Sequence, residues 1–271
     1  MPELPEVQTV VATLETLIKD RKIVQVEILY PPIIGNDDTF ESNVINQSFR
    51  SFSRKGKFLI LGLDRGYLVV HLRMEGKFYV VKQDYLIDKH THVIFHLDDG
   101  TLLLYHDVRK FGRINYIKRI EDHAGLNRLG HEVWDPLCDI NYLKEKTANK
   151  RVAVKTMLLD QSIIAGIGNI YANEILFEAR IHPELPSNQL SDEALQLILD
   201  KTKEILEAAI EAGGTSIRSY TSQLGVTGLF QQSLKVHGKE NEPCLVCATP
   251  IVKKQVNGRG TYFCTVCQKV K

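Results

Sequence analysis

The hydrophobic and polar positions of this chain change their spacing twice, which divides the sequence into three parts. Close to the N-terminus, apolar residues recur every three or four positions, and this spacing predicts an amphipathic helix from Pro5 to about Asp20. A proline suits the first turn of a helix, because its missing N–H would have no partner there. The apolar positions of the predicted helix are Val7, Val10, Val11, Leu14, Leu17 and Ile18.

From about residue 22 to residue 118, short runs rich in β-branched and aromatic residues replace the helical spacing. Turn sequences such as Asp-Arg-Gly and Asp-Asp-Gly separate several of these runs. The runs are KIVQVEILY, KFLILGLD, YLVVHLRM, KFYVV, THVIFHLDD, TLLLYHDV and RINYI. Strands that repeat at this spacing predict a β-sandwich or a β-barrel.

Helical spacing returns after Asp135-Pro136, in KRVAVKTMLLDQ, NIYANEILFEAR and SDEALQLILDKTKEILEAAIEAGG. The last of these segments opens with a Ser-Asp pair at 191, which is typical of a helix cap. It closes with a Gly-Gly pair at 213, where a helix readily ends.

Residues 214–230 are rich in Gly, Ser and Thr, and this composition predicts a mobile loop. The remaining segment is short and carries four of the five cysteines. We therefore expect an α+β multidomain protein. Its parts would be a β-rich domain at 1–132, a helical domain at 133–233 and a small module at 234–271.

The composition is that of an ordinary globular chain, with 44% hydrophobic and 25% charged residues. No run approaches the ~18 apolar residues that a membrane span requires. The N-terminal segment lacks the basic-then-apolar pattern of a signal peptide. We expect a protein of the cytoplasm with no membrane contact.

The net charge is only +1, with a pI near 7.7, and taken alone it argues against a nucleic-acid-binding protein. The distribution of the charges along the chain indicates otherwise. Residues 233–271 hold seven Lys and Arg against two Glu, and residues 144–155 hold five against one. Such clusters can bind phosphates while the rest of the surface stays acidic. The alternative for either cluster is a solvated charged face.

Four cysteines follow the pattern C-x2-C-x16-C-x2-C and predict a tetrahedral zinc site: Cys244, Cys247, Cys264 and Cys267. Two disulfides are the alternative, but reducing conditions favour the metal. Four thiolates leave no open coordination position, so the zinc would be structural.

Cys138 stands apart and is expected to be a buried apolar residue. Arg259 follows Asn-Gly at the tip of the predicted zinc hairpin, where it suits a phosphate or is an ordinary exposed turn residue.

The N-terminus, MPELPEV, carries a candidate nucleophile. Removal of Met1 would free the amine of Pro2, and α-amino groups titrate near pH ~8, so much of the amine would be neutral. A secondary amine condenses with an aldehyde carbon to a cationic iminium, which favours elimination. Glu3 is a candidate acid or base, and Lys57 is a further candidate at a strand start. Met-Pro alone is a weak signal, and retained Met1 would block this chemistry.

Several longer motifs make the chain resemble the formamidopyrimidine-DNA glycosylases over essentially its whole length. The motifs are MPELPEV, RKGKFL, HLRMEGKF, KHTHVIF, DVRKFG, AGIGNIYANEILF, GGTSIR and the four-cysteine segment. The opening ELPEV resembles this family more than its relative endonuclease VIII. Gln8 stands where the family often has glutamate, which puts any role of a carboxylate at this position in doubt.

The resemblance implies a bifunctional enzyme of base-excision repair. It would remove 8-oxoguanine and formamidopyrimidines from double-stranded DNA and cut the strand by β- and δ-elimination. The fold would be an N-terminal β-sandwich with the catalytic helix, a helix–two-turn–helix domain and a zinc finger. Pro2 would attack the sugar, Glu3 would supply acid–base help, Lys57 would assist proton transfer, and Arg259 would clamp phosphate and assist the later elimination.

The same resemblance assigns residues that would fill the gap left by a flipped-out nucleotide: Met74, Arg109 and Phe111. A flexible thioether, a planar cation and an aromatic ring suit that task. Core packing is the alternative for Met74 and Phe111.

Further contacts with DNA are expected from His90, Lys150 and Lys155, as well as from Arg109. Asn169 opens a predicted helix after Gly-Ile-Gly, where backbone amides favour an anion, although an asparagine there is also a common helix cap. The loop at 215–230 would close over the flipped base.

Three other functions stay open on the sequence alone. A glycosylase of the same fold could act on oxidised pyrimidines, because lesion preference lies in the pocket. A non-catalytic DNA-binding protein would have the same basic clusters but no reason to keep Pro2, Glu3 and Lys57. An RNA-associated zinc-ribbon protein would leave the N-terminus unexplained. From the resemblance we expect a monomer with one zinc, whose partner is DNA containing an oxidised purine or an abasic site.

Overall fold

The computed structural model describes residues 1–215 and 228–269. The chain divides into two compact units, Met1–Asn127 with Gly213–Leu229 and Arg128–Ala212 with Phe230–Lys271. Most of the loop predicted at 214–230 lies outside the described residues.

The N-terminal helix forms as predicted, with α1 at Leu4–Ile18. Pro5 lies in its first turn, and the residue before the helix, Glu3, is extended. Its apolar face is buried at Val7 and Leu14, both of which are 0% exposed. This face packs in the core of the first unit.

Two four-stranded antiparallel sheets form the first unit, in the orders β1-β6-β7-β5 and β2-β3-β4-β8. The strands are β1 Ile23–Ile28, β2 Ser51–Lys55, β3 Phe58–Gly62, β4 Tyr67–His71, β5 Lys77–Lys82, β6 Thr91–Leu97, β7 Thr101–His106 and β8 Arg113–Ile117. Phe95 and Leu103 of one sheet share a core cluster with Leu59 and Val70 of the other. The predicted β-sandwich is therefore confirmed.

The strand β2 was not predicted, because its sequence, SFSRK, is mostly polar. Its residues are partly or fully exposed along the whole strand. It lies at the edge of its sheet, where only one side needs a partner strand. Two short helices, α2 at Phe40–Val44 and α3 at Ala124–Asn127, and a 3-10 turn at Pro31–Ile34 were not predicted either.

The second unit contains four helices among its described residues: α4 Ile140–Thr147, α5 Val154–Leu159, α6 Asn169–Glu178 and α7 Asp192–Glu211. The Ser191 hydroxyl accepts a hydrogen bond from the Ala194 N–H at 3.2 Å, which confirms the predicted cap of α7. The helix α4 was missed because its sequence, INYLKEKT, is mostly polar, although Asp139 caps it.

The zinc-binding sequence folds as a hairpin of β9 Val252–Val256 and β10 Arg259–Phe263. Asn257 and Gly258 form its two-residue turn with φ angles of +47° and +72°. Asn-Gly is the preferred sequence for such a turn, because both positions need a positive φ. Within residues 1–215 and 228–269, none of the helices has the length and apolar character needed to span a bilayer.

We expect Phe95→Ala to lower the free energy of unfolding by about 3–5 kcal/mol, because Phe95 is 1% exposed in the sandwich core. The matched control is Leu86→Ala, since Leu86 is 89% exposed and should change stability by less than about 0.5 kcal/mol. Urea denaturation followed by circular dichroism measures both. Equal losses for the two variants would contradict the assignment of the core.

Candidate active site and metal centre

The two candidate catalytic residues of the N-terminus, Pro2 and Glu3, are buried directly before α1. A carboxylate oxygen of Glu6 accepts a hydrogen bond from the Glu3 N–H at 2.8 Å, within a capping box between these two glutamates. This bond satisfies one of the N–H groups that a helix start leaves without an internal partner. The backbone next to Pro2 is therefore held in one conformation.

The other carboxylate oxygen of Glu6 holds a distant part of the same unit. It accepts hydrogen bonds from the Thr215 N–H at 2.8 Å and from the Thr215 hydroxyl at 3.0 Å. Gly214 has a φ of +78°, and a β-carbon there would lie 2.8 Å from this oxygen. A glycine is therefore required. Sequence reasoning assigned Glu6 no role; its only signal was an acid three residues after the helix cap.

Lys57 lies in the two-residue turn between β2 and β3, after Gly56 with a φ of +56°. It is 5% exposed. Burial, together with the nearby charges of Arg73 and Lys57, lowers the pKa of His71 to about 3. His71 is thus neutral near pH 7 and lies close to the Lys57 ammonium. His71 belongs to the HLRMEGKF motif, although the sequence analysis did not single it out.

Two turns at the ends of the sandwich strands carry the three residues predicted to fill the gap in DNA. The first wedge turn, residues 72–76, joins β4 to β5 and carries a half-buried Met74. The second wedge turn, residues 107–112, joins β7 to β8 and carries Arg109 and Phe111.

Core packing does not account for Phe111, which is 50% exposed. The Arg109 guanidinium carbon lies 4.9 Å from the centre of the Phe111 ring, so a cation and an aromatic face are presented together. His90 is half-buried at the start of β6, and its ring lies 5.6 Å from that of His106.

In the second unit, Asn169 is the first residue of α6, and Gly168 occupies the cap position. The Asn169 side-chain amide donates a hydrogen bond to the Gly260 carbonyl of the zinc hairpin at 3.1 Å. Asn169 is therefore not a helix cap in this structure but a contact between α6 and the hairpin.

Lys155, from which the sequence analysis expected a contact with DNA, is 0% exposed. Its ammonium donates hydrogen bonds to the Gly260 carbonyl at 2.9 Å and to the Thr261 hydroxyl at 2.8 Å. A buried charge needs such partners, because the loss of water is costly. Lys155 therefore holds the zinc hairpin through buried hydrogen bonds. A direct contact of Lys155 with DNA stays a prediction.

Lys150 and Arg259 line one cleft of the second unit, with a volume of about 670 Å³. Arg151 and Asn257 also line it, and Arg259 is exposed directly after the hairpin turn. The Lys150 ammonium lies 3.1 Å from a carboxylate oxygen of Asp160, and both side chains are 39% exposed. The two predicted cations thus share a surface that suits an anion.

The chain that leads into the zinc hairpin is bound to α6 by a buried carboxylate. Glu174 accepts hydrogen bonds from three consecutive N–H groups, those of Lys235 at 2.7 Å, Val236 at 3.1 Å and His237 at 2.7 Å. Burial raises the pKa of Glu174. Neither this contact nor the 2.7 Å hydrogen bond between Asn173 and His237 had a signal in the sequence.

The four cysteines of the C-x2-C pairs come together as predicted, with their sulfur atoms all within 4.8 Å of one another. The Sγ–Sγ distances are 3.8 Å for Cys244 and Cys267 and 3.4 Å for Cys247 and Cys264. Tetrahedral zinc with Zn–S bonds of about 2.3 Å needs sulfur atoms about 3.8 Å apart. The residues therefore fit one zinc ion, which would be structural.

Cys244→Ala should reduce the zinc content from about one ion per chain to nearly none, because three thiolates hold zinc far less tightly than four. Cys138→Ala is the matched control, since Cys138 is buried in the helical core and lies outside the cluster. Elemental analysis after dialysis measures both variants. Full zinc content in Cys244→Ala would contradict the assignment of the metal ligands.

Lys155→Met should lower the free energy of unfolding by about 1–3 kcal/mol, because the Thr261 hydroxyl and the Gly260 carbonyl each lose the hydrogen bond that the buried ammonium donates. Lys150→Met is the control, since the exposed pair with Asp160 contributes only about 0–1 kcal/mol. Urea denaturation compares the two. If Lys150→Met costs as much as Lys155→Met, the supporting role of Lys155 is wrong.

Comparison with known proteins identifies the family. Three family models match: the formamidopyrimidine-DNA glycosylase N-terminal domain at 1–114, its H2TH domain at 129–221 and the zinc finger found in FPG and IleRS at 241–270. The chain is 46% identical to formamidopyrimidine-DNA glycosylase of Bacillus subtilis, with 100% of both chains covered. It is 43% identical to that of Listeria innocua, over 99% of this chain and 100% of the relative.

A solved structure of Lactococcus lactis Fpg in complex with DNA containing an abasic site has the same fold, with a TM-score of 0.94 and 38% identity. The alignment covers 99% of this chain and 100% of the other. Identity at this level over complete chains, together with all three domain models, leaves one conclusion. The chain belongs to the formamidopyrimidine-DNA glycosylase family.

Proposed function

We propose that this protein is a bifunctional DNA glycosylase and abasic-site lyase of base-excision repair that acts on oxidised purines. The observation that carries the proposal is the buried Pro2-Glu3 pair at the start of α1, in a chain that matches the family from end to end. A point mutant of the L. lactis relative has been solved with DNA containing Fapy-dG, and the relative itself with DNA containing an abasic site; both kinds of DNA would be substrates here.

The chemistry begins with the Pro2 nitrogen, which becomes a secondary amine once Met1 is removed. Its lone pair attacks the sugar C1′, and the bond between C1′ and the damaged base breaks. Opening of the sugar ring then gives the iminium. A base takes the proton from C2′, the iminium accepts the electron pair of that C–H bond, and the 3′ phosphate leaves by β-elimination. Loss of a second proton, from C4′, then expels the 5′ phosphate by δ-elimination. Water finally releases the amine.

Protons for these steps would come from two buried side chains of the first unit. Glu3 is 3% exposed and lies next to the nucleophile, so it would exchange protons at the sugar. Lys57 is 5% exposed in the turn after β2 and would assist the transfer. The neutral His71 near Lys57 adds no second positive charge near pH 7.

A base stacked in a duplex is out of reach of a buried amine, so the nucleotide must leave the helix. Met74, Arg109 and Phe111 on the two wedge turns would occupy the vacated space. The exposure of Phe111 and its contact with Arg109 support this role, because an aromatic ring and a planar cation both stack on bases.

The second unit would hold the DNA backbone. Lys150 and Arg259 line the basic cleft, and His90 of the first unit would add a further phosphate contact. Zinc, bound by the four cysteines, supplies structural stability and has no open position for substrate. Asn169 and Lys155 fix the Gly260 carbonyl and thereby the strand from which Arg259 projects.

The substrate also sets the surroundings in which the protein acts. A repair enzyme of this family would work as a monomer on the chromosome, in the nucleoid of a bacterial cytoplasm. Its DNA affinity would fall as salt concentration rises, since phosphate contacts release bound counterions.

The test is borohydride trapping on a duplex with one 8-oxoguanine opposite cytosine. The unaltered protein should form a covalent adduct that peptide mapping places on Pro2, with Met1 absent. Pro2→Gly should slow strand cleavage at least about a hundredfold and leave DNA affinity nearly unchanged, because only the nucleophile differs.

The matched control is Pro5→Gly, the same substitution at a nitrogen that is part of a peptide bond; it should still form the adduct. Unchanged cleavage by Pro2→Gly would rule out Pro2 as the nucleophile. Cleavage of a duplex with oxidised thymine but not of the 8-oxoguanine duplex would instead favour a pyrimidine-specific enzyme.

A further inference from the structure

The second wedge turn is held by a single buried carboxylate. Asp107 is 0% exposed, and its two oxygens accept hydrogen bonds from the Arg109 N–H at 2.9 Å and the Gly112 N–H at 2.8 Å. The turn also contains Lys110 with a φ of +58°, a backbone conformation that residues other than glycine rarely adopt. The carboxylate thus compensates for a strained backbone directly between Arg109 and Phe111.

The main chain of Asp107 is fixed as well. Its N–H donates to the His90 carbonyl at 2.9 Å, and its carbonyl lies 2.8 Å from Nε2 of His92. A carbonyl only accepts, so the proton of His92 must be on Nε2. Burial lowers the pKa of His92 and so favours the neutral ring. Asp107 is therefore held on both sides and has little freedom to move.

Tyr105, two residues earlier on β7, connects this turn to the other one. It is 0% exposed on the inner face of the sandwich. A β-carbon at Gly112 would overlap the Tyr105 hydroxyl oxygen, and a β-carbon at Gly76 would overlap the same oxygen. Gly76 ends the first wedge turn and Gly112 ends the second. One hydroxyl group therefore lies against the backbone of both turns.

This shared contact makes independent movement of the turns difficult. The first wedge turn is closed by the Gly76 N–H, which donates to the Leu72 carbonyl at 2.9 Å, so a shift at Gly76 changes the whole turn that carries Met74. A shift of the second turn displaces Gly112 against the same oxygen. Densely packed interiors transmit such displacements because they contain few voids.

We propose that Tyr105 and Asp107 are positioning residues that fix the two wedge turns as one unit, so that Met74 enters DNA together with Arg109 and Phe111. The inference rests on the wedge role given to these three residues in the proposed function. Neither Tyr105 nor Asp107 needs to touch DNA. Their effect is to order the wedge before binding, which reduces the entropy lost when it inserts.

The first experiment compares Tyr105→Phe with Tyr79→Phe. Tyr79 is a buried tyrosine of the same sheet, but it belongs to a separate small cluster with Ile94 and Leu104, so its variant makes the same chemical change outside the core cluster that contains Tyr105. The probe is a duplex with a tetrahydrofuran abasic analogue and 2-aminopurine beside it, whose fluorescence rises when the wedge unstacks the base.

Stopped-flow fluorescence should give an insertion rate about three- to tenfold lower for Tyr105→Phe than for the unaltered protein, and a rate within about twofold for Tyr79→Phe. Asp107→Asn should act in the same direction, because an amide NH2 would face one of the two backbone N–H donors. Equal insertion rates for the two tyrosine variants would overturn the proposal.

A double-mutant cycle then tests the coupling itself. Met74→Ala and Phe111→Ala are measured singly and together, in the unaltered background and in Tyr105→Phe. The effects on insertion rate should be non-additive by at least about threefold in the unaltered background and additive in Tyr105→Phe. The same non-additivity in both backgrounds would show that Tyr105 does not link the turns, and this readout does not move with a general loss of stability.

Borohydride trapping of the same proteins on an abasic duplex separates this inference from the proposed function. No adduct on Pro2 of the unaltered protein would refute the proposed chemistry. An adduct on Pro2, combined with equal insertion rates for Tyr105→Phe and Tyr79→Phe, would refute only the positioning role.

Discussion

The proposed chemistry depends on irregular segments of the chain. Buried carboxylates hold these segments by accepting hydrogen bonds from their backbone N–H groups. Glu6, Asp107 and Glu174 are 4%, 0% and 3% exposed, and each accepts two or more such bonds. Buried donors outside regular helices and sheets need partners, and a carboxylate is a strong acceptor for several at once. The segment that carries Pro2, the second wedge turn and the entry to the zinc hairpin are all positioned in this way.

Regular structure around these segments serves mainly as a rigid frame. The sandwich strands end where the wedge turns begin, and α6 begins where Asn169 reaches the zinc hairpin. Most residues that would act on DNA thus lie in short connections whose ends are fixed by packed elements, and Arg259 is the first residue of β10, directly after such a connection. This arrangement combines precise placement with surface access, which a residue inside a strand or helix does not have.

The sequence predicted those elements whose apolar spacing is strong, such as α1, α7 and the inner strands of both sheets. It missed β2 and α4, because an edge strand and a polar helix contribute little to the core and have weak periodicity. The zinc ligands were predictable because metal geometry restricts the spacing of cysteines. The burial of Lys155 was not predictable, because a lysine in a basic cluster is expected to be exposed. Only the fold shows the acceptors on the zinc hairpin that its buried ammonium binds. Tyr105 likewise carries no sequence signal for its contact with two distant glycines.

The buried ammonium of Lys155 makes the helical part of the second unit thermodynamically linked to the metal. Its two acceptors, Gly260 and Thr261, belong to a hairpin that the four cysteines close. When zinc is lost and the hairpin opens, the ammonium on α5 loses these two hydrogen bonds, and α5 and α6 become less stable although neither helix contains a metal ligand. Zinc therefore acts as a ligand of the folded state for a much larger part of the chain than the finger itself, and its concentration contributes to the stability of the whole unit.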